Sequence, residues 1–95
     1  MLEKEIEAIL KIKFKPSELL IKNQSHLHKK HKEYSKNSHF SVHIESEMFN
    51  KKTRIERHQM IYKALKDIMK SRIHALQIKA TTYKESNLIK NNQTI

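Results

Sequence analysis

Residues 38–47 read SHFSVHIESE, and this stretch decides the fold. Phe40, Val42 and Ile44 alternate with His39, Ser41, His43 and Glu45. A period of two puts the apolar side chains on one face and the polar ones on the other, as in a β-strand with one wet face. Upstream, Glu18–Ser25 (ELLIKNQS) predicts a shorter strand. The two are expected to pair as an antiparallel hairpin whose connection, residues 23–37, is unusually long, polar and rich in Lys and His.

Helices flank this hairpin. Leu2, Ile6, Ile9, Leu10 and Lys13 fall on one helical face, with Glu3, Lys4, Glu7 and Lys11 outside it. Acidic residues early and lysines late suit the helix dipole, and Glu7–Lys11 adds a supportive i,i+4 pair. Pro16 stops the helix, because the residue before a proline avoids the α region. Beyond the hairpin, Thr53-x-x-Glu56 predicts a capping box. Ile61, Ala64, Leu65 and Ile68 then form an apolar stripe, with Gln59, Lys63, Lys66 and Lys70 opposite. Residues 73–80 read as a third strand, with His74, Leu76, Ile78 and Ala80 in phase. A second capping box, Thr82-x-x-Glu85, opens a short last helix. Residues 1–90 are expected to form one domain, and residues 91–95 a disordered tail. The predicted order is helix, strand, strand, helical pair, strand, helix.

Composition narrows the function. A chain of 95 residues holds one small core and no deep enclosed active site. No apolar run approaches the ~18 residues of a membrane span, and the charged N-terminus is unlike a signal peptide, so a cytoplasmic protein is expected. Cysteine is absent, which excludes thiol catalysis and thiolate ligands from this chain. Glycine is absent too, which excludes a Gly-rich phosphate loop. No nucleophile or acid–base constellation assembles, so an enzyme is not expected. The net charge of +10 suits phosphate backbones or acidic proteins. Most of that charge is Lys in an Asn- and Ile-rich chain, a bias that A/T-rich codons also produce.

The seven histidines are the unusual feature. His26, His28 and His31 form H-x-H-x-x-H in the long connection, where imidazoles suit transition metals. Four ligands, or three and a carboxylate, are the usual zinc set, and no acid adjoins this motif. A solvated loop is the competing reading. His39 and His43 lie about 13 Å apart along one strand, too far to chelate together. His74, in phase with the core side of the third strand, is either a satisfied half-buried histidine or a ligand held by rigid backbone.

The segments SHFSVHIESEMF, RHQMIYKAL and IHALQIKATT, in this order and spacing, resemble the BolA family, and the likeness takes in the N-terminal helix and its FKP stop. The resemblance implies an α+β fold related to the class II KH domain. It would be a three-stranded mixed sheet with helices packed on one face, residues 53–69 being similar to the family's helix-turn-helix element. It also implies a heterodimer with a monothiol glutaredoxin. There a [2Fe–2S] cluster is shared with the glutaredoxin and glutathione, and none is held by the isolated chain, a monomer or weak homodimer. The position of His74 is then one ligand, and the loop supplies the other, at His28 by counting back from SHF, with His26 and His31 as alternatives. Imidazoles replace thiolates on one iron in Rieske centres. The alternative function is a DNA-binding transcription regulator, with Arg54, Arg57, Gln59, Lys63, Lys66 and Lys70 facing phosphate. The family usually has glycine in the loop and after the second strand. Lys51 stands at the second place, and Asn50 is expected to take the left-handed turn there. With no GXXG clamp, RNA binding in the KH manner is not expected.

Overall fold

The computed structural model describes residues 2–24, 39–71, 73 and 75–93. Helix α1 (Leu2–Phe14) leads into strand β1 (Glu18–Asn23), strand β2 (His39–Glu45) and a short 3-10 turn (Glu47–Phe49). Helices α2 (Arg54–Ala64) and α3 (Lys66–Ser71), strand β3 (Ala75–Thr81) and helix α4 (Tyr83–Gln93) complete the order, as the periodicities predict. The sheet order is β1-β2-β3, with β1–β2 antiparallel and β2–β3 parallel. It is the mixed three-stranded sheet that the family resemblance implies.

The strand register sorts the faces. Leu19, Ile44 and Ala80 stand in one row across the sheet, and Ile21, Val42 and Ile78 in the next. With Phe40 they meet Leu2, Ile6, Leu10 and Phe14 of α1 and Ile61 and Leu65 of the α2 segment in one core. Each of these large side chains contributes about 1.5–3 kcal/mol by leaving water. Phe14 and Phe49 pack ring to ring, centroids 5.2 Å apart. Lys13 was expected on the apolar face of α1. It is exposed, and Phe14, one residue on, fills that place.

Polar groups tie the elements where they meet. The Ser46 hydroxyl, buried, donates to the Phe14 carbonyl at 2.7 Å and so satisfies an orphan carbonyl at the end of α1. It also accepts from the Met48 N–H, which starts the 3-10 turn and ends β2 at Glu45. The Ser46 N–H donates to the Thr81 carbonyl, and the Ser17 N–H to the Glu45 carbonyl. The ends of all three strands are joined there. Both predicted capping boxes form, at Thr53/Glu56 and at Thr82/Glu85.

Glu85 has a second role. The Arg57 guanidinium donates to both its carboxylate oxygens, at 2.6 and 2.9 Å, and to the Ala80 carbonyl at 3.0 Å, while Arg57 Nε donates to the Lys52 carbonyl. One side chain thereby ties α2 to the end of β3 and the start of α4. The Arg57 side chain is 11 % exposed and that of Glu85 44 %. The hydrogen bonds from Arg57 hold the Glu85 carboxyl down from the usual 4.5 to about 2.

The turn after β2 also differs from the sequence expectation. The left-handed position after β2 is Lys51, with φ 62°, while Asn50 is extended at φ −60°. The Asn50 N–H is bonded to the Glu47 carbonyl and the Lys52 N–H to that of Phe49, so the reversal falls on the residue between. Lys15, which ends α1, is the other positive φ, at 44°. A glycine-free chain places lysine where glycine costs nothing, a penalty of roughly 1–2 kcal/mol per residue. At the C-terminus, helix α4 runs to Gln93, and residues 94 and 95 of the expected tail lie outside the described residues.

Two outcomes follow. Lys51→Gly should raise stability by about 0.5–1 kcal/mol in urea unfolding, the relief of the left-handed backbone exceeding the added unfolded-state entropy. A loss of stability would contradict that geometry. For Glu85, a depressed carboxyl adds stability that is full above pH 4.5 and lost as pH falls toward 2. Thermal scans should therefore show Glu85→Gln less stable than wild type at neutral pH, with the difference closing across that acid window. A constant difference would show that the Arg57 pairing adds nothing.

Candidate functional site

The candidate residues fall toward two ends of the sheet. At one end β2 begins and β1 finishes, and the Gln24 N–H donates to the His39 carbonyl at 2.8 Å, extending the ladder by one bond. His39 is the register partner of Ala75, the first residue of β3. The segment bearing His26, His28 and His31 joins Gln24 to His39, and His74 directly precedes Ala75. All four histidines lie outside the described residues. The chain positions that flank them share one end of the sheet because β2 pairs antiparallel with β1 and parallel with β3. Among the described residues no group of three His, Cys, Asp or Glu side chains is placed to hold a metal. His39 and His43 sit half-buried on the polar face of β2, and the His43 Nε2 is buried without a hydrogen-bond partner among the described residues.

The predicted nucleic-acid residues divide into separate surfaces. At 3.6 residues per turn, Gln59 lies about 140° and Lys63 about 180° round α2 from Arg54. Gln59 and Lys63 are exposed, on the side of α2 away from Arg54 and Ile61. Lys66 and Lys70 are exposed on α3, beyond a break at Leu65. That break is one residue, shorter than the three- or four-residue turn of a DNA-binding helix-turn-helix. Arg57 was expected to face phosphate, but four of its N–H groups are committed to Glu85, Ala80 and Lys52. It is a clamp within the fold.

At the far end of β3, Arg54 lines a cleft of about 650 Å³ with Lys52, His58, Lys79 and Thr81. Sequence reasoning passed over Lys52, His58 and Lys79. The signal available was the i,i+3,i+4 spacing of Arg54, Arg57 and His58, which places all three on one helical face. Lys79 becomes a neighbour only through the tertiary packing of β3 beside α2. The Tyr62 hydroxyl donates to the Leu76 carbonyl and Arg57 to that of Ala80. Two carbonyls of the outer edge of β3 are thereby covered by side chains of α2.

Comparison with known proteins agrees with this geometry. The family described as BolA-like protein matches residues 10–85. A BolA-like protein of Dictyostelium discoideum is 37% identical over 94 residues, covering 98% of this chain and 79% of its own length. The DNA-binding transcriptional regulator BolA of Haemophilus influenzae is 38% identical over 80 residues, covering 84% and 76%. Among solved structures, the BolA domain of SufE1 from Arabidopsis thaliana superposes with a TM-score of 0.81 at 33% identity, covering 88% of this chain and 94% of that one. The solution structure of BolA1 from Mus musculus gives 0.80 at 27% identity, covering 94% and 71%. With its mixed sheet, helical pair and capped last helix, this chain belongs to the BolA family.

Proposed function

We propose that the chain is an adaptor that pairs with a monothiol glutaredoxin and contributes histidine ligands to a [2Fe–2S] cluster shared between them, in iron–sulfur trafficking or iron and redox sensing. The observation that supports this reading most is the strand register. The chain positions flanking residues 26–31 and residue 74 lie at the same end of the sheet, where one partner surface can meet both. His74 and one of His28, His26 and His31 would be this chain's share of the ligands. A cysteine-free chain can offer only imidazole or carboxylate, so the thiolates would come from glutathione and the partner. The cluster, when bound, supplies one-electron chemistry whose potential imidazole ligation raises. On this reading the chain would offer one imidazole from residue 74, next to the start of β3, and others from residues 26–31. The closure entropy of such a segment grows slowly with its length.

DNA-binding regulation is a second reading, favoured by the names of the relatives from Haemophilus influenzae and Escherichia coli and by the exposed lysines of α2 and α3. On this geometry the contact surface would be Gln59, Lys63, Lys66 and Lys70. Arg54 lies on the other side of α2, and Arg57 is held by Glu85.

Three tests separate these readings. His74→Ala should leave the chain folded by circular dichroism and weaken or abolish the shared cluster in visible spectra. An unchanged cluster spectrum and lifetime would make His74 a structural residue. His28→Ala alone should shift the spectrum and shorten the lifetime, with a neighbouring His partly substituting, whereas the triple Ala variant of His26, His28 and His31 should give a labile cluster. A wild-type lifetime in the triple variant would remove the loop from the ligand set. If DNA binding operates, Lys63→Gln, Lys66→Gln and Lys70→Gln together should weaken it for all sequences alike and flatten its salt dependence. Unchanged binding would exclude this stripe as the contact.

A further inference from the structure

The cleft at the far end of β3 is left unused by either reading. Ala75 and Thr81, the ends of β3, stand about 20 Å apart along the strand, and the cleft lies at the Thr81 end. A partner at the histidine end and a second ligand at the cleft are therefore compatible. Lys52, Arg54 and Lys79 are exposed and His58 half-buried, and none has an ion pair or side-chain hydrogen bond to another described residue. The one carboxylate in the lining, Glu85, is already neutralised by Arg57. The cleft thus carries an excess of cations around a floor that includes Ile78 and Ala80.

We propose that this cleft docks an extended acidic segment of a partner protein, with an apolar side chain set among its carboxylates. Arg54 and His58 are separated by about 6 Å along α2, and Lys79 faces the cleft from another element. The positive charge is spread along the walls rather than focused on one point, which fits several spaced carboxylates better than one compact anion. Ile78 and Ala80 offer burial to an apolar side chain between them. The segment would bind through its side chains and not as a fourth strand. The outward carbonyls of Leu76 and Ala80 are already taken by Tyr62 and Arg57, so the edge of β3 is closed to strand addition there. A recess of this kind takes projecting side chains, whereas a convex DNA duplex would meet the lysines on the opposite side of α2. The proposal does not rest on the glutaredoxin reading, since no histidine of that end takes part.

The test is a titration of the full, isotopically labelled chain, followed by amide NMR, with a short Asp/Glu peptide carrying one central Leu. Amides of Arg54, His58, Ile78, Lys79 and Thr81 should shift, and the effect should weaken as salt screens the charges. Combining Lys52→Gln, Arg54→Gln and Lys79→Gln should weaken binding roughly tenfold, a few exposed ion pairs' worth. Lys79→Gln alone, an exposed change that leaves the clamp intact, should weaken it in the same direction. The proposal is overturned if the Asn/Gln version of the peptide binds as well, if the peptide shifts only amides near Lys63 and Lys66, or if nothing binds. A DNA duplex that shifts the cleft amides more strongly than the peptide would also overturn it.

Discussion

Strand β2 pairs antiparallel with β1 on one side and parallel with β3 on the other, in the registers Leu19↔Ile44 and Ile44↔Ala80, and much of the structure follows from this. The antiparallel pairing sends the long connection back to the end of the sheet where β2 begins. The parallel pairing requires β3 to begin at that same end, after the crossover through α2 and α3. A slip of one residue in either pairing would turn Phe40, Val42 and Ile44 away from α1 and expose the core. The burial that fixes the register therefore also fixes which chain positions share each end.

The opposite end is held by polar groups. Ser46, Ser17 and Glu45 join the end of α1 to the sheet, and Arg57 joins α2, β3 and α4. Bidentate arginine–carboxylate contacts fix orientation as well as distance. Consuming Arg57 in this way separates the basic surface into two parts. Arg54 and His58 of the cleft lie on one side of α2 and the exposed Lys63 on the other, with Lys66 and Lys70 exposed on α3. The exposed cations of α2 thus fall on two different sides of the helix.

Much of this was legible in the sequence. The alternation at residues 39–44, the stop at Pro16 and both capping boxes located the elements, because each depends on local chemistry alone. Mixed sheet order came from family resemblance, since periodicity does not say which strands are neighbours. Lys13 against Phe14 was a matter of helical phase, settled by the ring contact of Phe14 with Phe49. The left-handed Lys51 was displaced by one residue from expectation because the bonds of Asn50 and Lys52 decide where the chain reverses. Arg57 read as one more surface cation, since its carboxylate partner lies 28 residues on, a separation that no local pattern reports. The lining of the cleft was hidden for the same reason, as Lys79 meets Arg54 and His58 only in the packed molecule.

The central claim is that the histidine-bearing end of this sheet ligates a cluster held jointly with a partner. The most direct measurement is pulsed electron paramagnetic resonance of the reduced cluster in the heterodimer, with only this chain's histidines labelled with nitrogen-15. The account predicts strongly coupled nitrogen-15 from this chain, diminished when His74 is replaced. A reduced cluster with no nitrogen-15 coupling would contradict it and leave these histidines without a role in iron ligation.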